Sequence, residues 1–151
     1  MGAEPTTLVV VDTNVLLAAT DRSRDSYLAA TALISGDERR LAITPQIVRE
    51  YLVVATRPWE VDGFGLAGED AVANVEQFLD DMALLTENAA TTRLLLELIG
   101  QASAAGKQVH DANVIAVALA HGAAAIITDN ARHFARFAGL VTIESLGAAP
   151  A

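Results

Sequence analysis

Cysteine is absent from the 151-residue chain, which excludes disulfide staples and thiolate zinc sites. That absence suits a cytoplasmic protein, the expected location. Long apolar runs are missing too. The most apolar region, Val114–Ala120 followed by Ala123–Ile127, is broken by His121 and Gly122. Neither half approaches the roughly 20 residues that a membrane span requires. The opening Met1-Gly2-Ala3-Glu4-Pro5 has neither the basic nor the apolar stretch of a secretory signal. No association with a membrane is expected. Positive charge is scarce, with 10 Lys and Arg against 19 Asp and Glu, a net charge of −9, and Lys107 as the single lysine. This argues against gripping nucleic acid through a broad basic face. It does not exclude a nuclease, because acids that converge on bound cations invert the local field. A basic partner could also cover part of so acidic a surface. Internal repeats and low-complexity segments are absent.

What is present points to one globular domain. The length suits a single unit over residues 1–151, with a core from about 8 to 144. A hydrophobic share of 52% is ample for a packed core, the reverse of a disordered composition. The final Gly147-Ala148-Ala149-Pro150-Ala151 reads as a frayed tail.

Leu8–Val11 is a β-branched run ending at Asp12, as expected of a buried parallel strand. Asp12-Thr13-Asn14 then opens the helical pattern Val15–Ala19. A helix is predicted over Ser26–Ser35, stopped by Gly36, and a strand over Leu41–Thr44. Thr44-Pro45 starts a helix, with Thr as the cap and Pro in the first turn, and that helix ends at Arg57 before Pro58. Pro58–Gly68 is the main irregular stretch. Helices follow at Glu69–Asp81 and Asn88–Gln101, with a short strand within Met82–Thr86. Val109–His121 is a helix apolar nearly all round and therefore buried on most sides. A strand at Ala124–Thr128, a short helix at Asn130–Phe137 and a strand at Leu140–Ile143 complete the series. Strands alternating with helices predict an α/β fold with a parallel sheet covered on both faces.

Acidic residues recur where those elements end. Asp12 follows the first strand, and open α/β sheets bind ligands beyond such strand ends; the alternative is a plain helix cap. Glu50 sits at the edge of the apolar arc of its helix, beside Val54, and can reach a cleft; the alternative is a solvated acid or a partner of Arg49. Asp111 is the only acid of the buried helix and stands in its first turn, where the helix dipole alone would favour it. Asp129 and Asn130 follow another strand, where an Asx turn or a cap by Asn130 is the competing reading. Taken together, several acids fall on one side of a parallel sheet. Crowded like charges are costly unless cations neutralise them, and oxygen-only ligands suit Mg²⁺ or Mn²⁺ rather than zinc. Such a site is suited to phosphodiester hydrolysis.

The order Val9-Val10-Val11-Asp12-Thr13-Asn14, Glu50 within a helix, His110-Asp111-Ala112, and Thr128-Asp129-Asn130-Ala131-Arg132-His133-Phe134 resembles the PIN-domain family. It is especially similar to the toxin ribonucleases of VapBC toxin–antitoxin pairs. The likeness runs from Leu8 to about Glu144 and includes Ala55-Thr56-Arg57-Pro58 before the glycine-containing loop. It implies a three-layer α/β/α sandwich around a parallel sheet of four to five strands, and a Mg²⁺- or Mn²⁺-dependent endoribonuclease. By resemblance, Asp12 and Asp111 are the main metal ligands, and Glu50 completes the site directly or through water. The fourth acidic position of the family maps to Asn130, an amide, with Asp129 beside it, and His133 stands where an acid often precedes the Phe. Thr13, Asn14 and Thr128 support the site through hydrogen bonds. RNA is the implied substrate, hydrolysed to 5′-phosphate and 3′-hydroxyl ends with Glu50 orienting or deprotonating the water. An antitoxin whose C-terminal segment covers the cleft and a homodimer are the implied partners. Arg57, Arg132 and Arg136 are candidates for phosphate contacts, against the alternative of solvated charges. Trp59 is expected at the edge of the core or in a subunit contact, with stacking on a base as the alternative.

Other readings fit less well. A haloacid-dehalogenase-like phosphohydrolase places a second Asp two residues after its nucleophile, and position 14 is Asn. A receiver-like phosphoacceptor needs paired acids after the first strand and a Lys at a late strand end, whereas Lys107 precedes a helix. A non-catalytic interaction module on a PIN scaffold agrees with Asn130 but not with the retention of Asp12, Glu50 and Asp111.

Overall fold

Val9, Val10 and Val11 are all fully buried. A strand apolar at every successive position is satisfied only when both faces of its sheet are covered. The structure, a computed structural model, describes residues 6–147; the expected frayed tail lies outside that range beyond Gly147. Leu8–Val11 forms β1 at the centre of a five-stranded sheet. The other strands are β2 (Arg40–Ile43), β3 (Ala83–Leu84), β4 (Ala125–Thr128) and β5 (Thr142–Ser145). Their order is β3-β2-β1-β4-β5, and every pairing is parallel. Val9 sits between Leu41 of β2 and Ala125 of β4.

Among the described residues, six α-helices connect the strands: α1 (Thr13–Thr20), α2 (Tyr27–Gly36), α3 (Pro45–Thr56), α4 (Gly68–Asp81), α5 (Ala89–Ala102) and α6 (Gln108–Ala120). The connections β1→β2→β3 move one way along the sheet and β3→β4→β5 the other. Right-handed crossovers therefore put α1–α4 on one face and α5 and α6 on the opposite face. The contacts agree: α1 packs on α2 and α3, α3 on α4, and α5 on α6. This is the expected three-layer α/β/α sandwich. In α6, Ala112 and Val114–Ala118 are buried, as its apolar surface requires. Among the described residues, no helix is long and apolar enough to cross a membrane.

Three expectations change in detail. The last strand is Thr142–Ser145, not Leu140–Ile143, because the N–H groups of Leu140 and Val141 turn back to the Phe137 carbonyl and pairing begins only opposite Ala125. The segment after β4 is a 3₁₀ helix, Ala131–Phe137, and the Asn130 side chain does not cap it. Trp59 opens another short 3₁₀ turn, Trp59–Val61, and is 73% exposed rather than packed at the core edge.

The irregular stretch after α3 is pinned back along that helix. Phe64 and Leu66 donate to the carbonyls of Val54 and Ala55, and Gly65 donates to Arg57. Gly63 passes so close that a Cβ there would lie 1.8 Å from the Arg57 carbonyl oxygen. Gly36, at the end of α2, has open space around it. Gly63→Ala is therefore expected to cost about 1–3 kcal/mol through overpacking. Gly36→Ala should gain about 0.4–1 kcal/mol by restricting the unfolded chain. Urea unfolding of the two variants checks both signs; equal effects would mean that the Gly63 contact relaxes freely.

Candidate active site

The chain leaves β1 toward β2 on one side and returns to β4 on the other. The carboxyl ends of β1 and β4 thus flank the crevice at which open α/β sheets hold ligands. Asp12 is the first residue past β1. Its N–H still bonds the Ile127 carbonyl at 2.9 Å, while its side chain caps α1 by accepting the Thr13 N–H at 2.8 Å. Its second oxygen accepts the Thr128 hydroxyl at 2.9 Å. Asp12 is only 9% exposed. Thr128, fully buried at the end of β4, is saturated: it donates to Asp12 and accepts from Asn14 Nδ2 and from the Asn130 N–H, each at 3.1 Å. Asn14 Oδ1 in turn accepts the Asp129 N–H at 2.9 Å.

Glu50 comes from the second turn of α3. One carboxylate oxygen accepts the Thr13 hydroxyl at 2.7 Å and the other accepts Gln46 Nε2 at 2.8 Å. Thr13 therefore touches both acids, Asp12 through its N–H and Glu50 through its hydroxyl. Asp111 enters from the opposite face in the first turn of α6, half-buried, with no hydrogen-bond donor among the described residues. The fold brings Asp12, Glu50 and Asp111 to one rim together with Thr13, Asn14 and Thr128.

The two residues at the fourth position face different ways. Asp129 is exposed and accepts the Ser26 hydroxyl at 2.9 Å. The Asn130 amide meets His133 Nε2 at 3.1 Å. Of the arginines, Arg57 closes the end of α3 and donates to the Asp62 carbonyl at 3.1 Å, so it serves the loop beside it. Arg136 donates to the Ala102 and Ser103 carbonyls at the end of α5, both at 3.3 Å, where a helix terminus favours a cation. Arg132 is exposed.

Burial pushes the Asp12 carboxyl up from 3.8 to about 6. The hydrogen bonds from Thr128 and Thr13 hold it down, and the charges of Glu50 and Asp111 add to the rise. Asp111 is also raised, first by burial and then by Glu50, against the opposing pull of His133, His110 and Arg136. The acids thus feel one another. Among the described residues, however, no three His, Asp or Glu side chains converge closely enough to hold a cation directly. The donor set fits a hydrated Mg²⁺ or Mn²⁺, since Mg²⁺ is usually held by one or two carboxylates and keeps several waters. A groove of about 1140 Å³ between α2 and β5 shares no residue with this cluster. At the rim Asp12 is buried, while Glu50 and Asp111 are partly exposed.

The family model of the PIN domain matches residues 9–140. The chain belongs to the PIN-domain family. Solved structures of similar fold include VapBC2 from Rickettsia felis bound to a DNA fragment of its promoter, at 20% identity and a TM-score of 0.67, covering 92% of this chain and 98% of that one. VapBC-1 from nontypeable Haemophilus influenzae is similar at 18% identity and a TM-score of 0.66, covering 94% and 100%. VapC20 from Mycobacterium tuberculosis, a toxin that cleaves the sarcin–ricin loop, is similar at 16% identity and a TM-score of 0.62, covering 78% and 86%. No curated protein matches the sequence.

Sequence reasoning about this PIN domain missed Gln46 and Asn113. Gln46 is only 5% exposed. Besides Glu50, its Nε2 reaches the His110 carbonyl at 3.0 Å, and its Oε1 accepts Asn113 Nδ2 at 2.7 Å. The available signal was the spacing of four between Gln46 and Glu50, which stacks the two side chains on one helix face.

The raised carboxyl of Asp12 has a stability consequence. The fold favours its protonated form, so its contribution is fully present below about pH 4 and is lost as pH rises through 6. A rise from 3.8 to about 6 corresponds to about 3 kcal/mol. In EDTA, Asp12→Asn is expected to be more stable than the wild type at pH 7.5 by up to about 3 kcal/mol, the gap closing between pH 6 and pH 4. Urea unfolding across that range checks it, and a gap independent of pH would assign the effect to something other than Asp12 ionisation.

Proposed function

We propose that this PIN-domain chain is a Mg²⁺- or Mn²⁺-dependent endoribonuclease and the toxin of a toxin–antitoxin pair, with Asp12, Glu50 and Asp111 as its acidic site. The observation that carries the reading is the meeting of these three carboxylates, from β1, α3 and α6, at the switch point of the sheet. Burial lifts Asp12 to about 6, and the charges of Glu50 and Asp111 add to the rise. The relatives of similar fold support the biological setting, since VapC20 cleaves the sarcin–ricin loop and the others are VapBC complexes.

Asp12 and Asp111 would hold the ion, with Glu50 joined through water. When bound, a divalent ion there offsets the carboxylate repulsion, polarises a phosphate and eases deprotonation of water. The chain's own residues supply the rest. Thr13 fixes Asp12 and Glu50 relative to each other. Thr128 and Asn14 hold Asp12 from the β4 side. Glu50 orients the attacking water and takes its proton. The new bond joins that oxygen to phosphorus and the P–O3′ bond breaks, and O3′ takes a proton from solvent water, leaving a 3′-hydroxyl and a 5′-phosphate. Exposed Arg132 offers a phosphate contact beside the rim. The same reading makes residues 8–144 the one catalytic domain, cytoplasmic and homodimeric, with an antitoxin segment carrying a basic side chain laid over the acids.

Two outcomes are expected. A labelled RNA pool should be cut with Mg²⁺ or Mn²⁺, leaving 5′-phosphates, with activity reduced at least about 100-fold by Asp12→Asn or Asp111→Asn and abolished by EDTA. Cyclic-phosphate ends, or activity that survives Asp12→Asn, would place the chemistry elsewhere; Mn²⁺ binding without cleavage of any RNA would favour an interaction module. Separately, Mn²⁺ should raise the Tm of the wild type and not that of Asp12→Asn, because an ion bound only by the folded state stabilises it. Equal shifts in a thermal melt would mean that the ion binds away from Asp12.

A further inference from the structure

We infer that Gln46 is a positioning residue that straps the two faces of the sheet together at the acidic rim, setting Glu50 against the helix that carries Asp111. The inference rests on the acidic site proposed above and goes beyond it. Glu50 lies on α3 and Asp111 on α6, and these helices cover opposite faces of the sheet. They approach only past its carboxyl edge. Among the described residues, the side-chain hydrogen bonds between α3 and α6 all run through Gln46, which donates to the His110 carbonyl at 3.0 Å and accepts from Asn113 at 2.7 Å.

The amide has one workable orientation. Both of its N–H groups are used, on Glu50 Oε1 at 2.8 Å and on the His110 carbonyl, and its oxygen is used by Asn113. Turned over, its oxygen would face a carboxylate and a carbonyl, two acceptors, while its NH₂ would face the NH₂ of Asn113. The amide is therefore locked, and with it the Glu50 oxygen it holds. The other Glu50 oxygen is held by Thr13, whose N–H holds Asp12. A continuous chain, Asp12–Thr13–Glu50–Gln46–His110, thus joins the three elements that carry the acids and ends one residue before Asp111. A buried polar side chain at 5% exposure is costly unless fully bonded, and this one is bonded at every point. Supports of this kind around ligand residues commonly carry tenfold to hundredfold of metal affinity or activity.

The test uses the full chain and four forms: wild type, Gln46→Leu, Asn113→Ala and the double variant. Each is measured for the Mn²⁺ dissociation constant by calorimetry, for kcat and KM on a cleaved RNA, and for folding by circular dichroism and Tm. The expected result is a Mn²⁺ dissociation constant raised about tenfold or more in Gln46→Leu, with kcat reduced by a comparable factor and KM little changed. Asn113→Ala frees the amide to turn and should give a smaller loss in the same direction. The double variant should be no worse than Gln46→Leu, because both changes break one strap. If Gln46→Leu does not fold, the half-buried Asn113 still tests the strap through Asn113→Ala alone. Wild-type Mn²⁺ affinity and kcat in folded Gln46→Leu, or in Asn113→Ala where Gln46→Leu does not fold, overturn the inference, as do fully additive losses in the double variant. Those results leave the ribonuclease reading intact. A wild type that neither binds Mn²⁺ nor cuts RNA would instead remove that reading and this inference with it.

Discussion

The hydrogen bond from the Thr128 hydroxyl to Asp12, 2.9 Å long, closes the seam between β1 and β4, and the rim is organised around it. These strands are 116 residues apart in sequence at this point and adjacent only because the strand order reverses at β1. Buried at the seam, the Thr128 oxygen also accepts from Asn14 and from the Asn130 backbone. One hydroxyl thereby sets the start of α1, the end of β4 and the carboxylate between them. Thr13 extends the order to Glu50, and Gln46 carries it on to α6.

Such a rim opposes its own stability. A buried carboxylate beside two others raises the free energy of the folded state at neutral pH. The core meets that cost with a sheet whose central strand is fully buried from Val9 to Val11 and with helices on both faces. Elsewhere acids are handled in the ordinary way: Arg39 pairs with both Asp37 and Glu144, and both carboxyls lie where water or a guanidinium serves them. At the sheet switch the hydrogen bonds to Asp12 and Glu50 come from Thr13, Thr128 and Gln46 rather than from a basic side chain. His133, His110 and Arg136 moderate Asp111 from a distance.

Much of this was legible in local pattern. The valine run before Asp12 marks a strand covered on both faces, and the structure has it at the sheet centre. Thr44-Pro45 marks a helix start, and Thr44 does cap α3 through Ile47. Asn88 was read as the start of α5 and is its cap, in a reciprocal box with Thr91. Where local signals compete they misled. Leu140 and Val141 look like strand residues, yet their N–H groups close the preceding 3₁₀ turn. Trp59 stands 73% exposed, which rules out the core edge and leaves the expected subunit contact or base stacking open. The spacing of four ties Gln46 to Glu50, but not to its partners across the sheet, His110 and Asn113, which lie 64 and 67 residues away.

Local pattern was enough to give most elements and their order, to put Asp12, Asp111 and Asn130 at element ends and to put Glu50 at the edge of its helix's apolar arc, because strand and helix periodicity and capping chemistry act over a few residues. Only the tertiary structure decided which of those ends meet. The sheet order set Asp12 against Thr128, turned Asp129 toward Ser26 and Asn130 toward His133, and gave Gln46 its place between the faces. Those outcomes depend on contacts between residues far apart in the chain, and such contacts exist only once the sheet has formed.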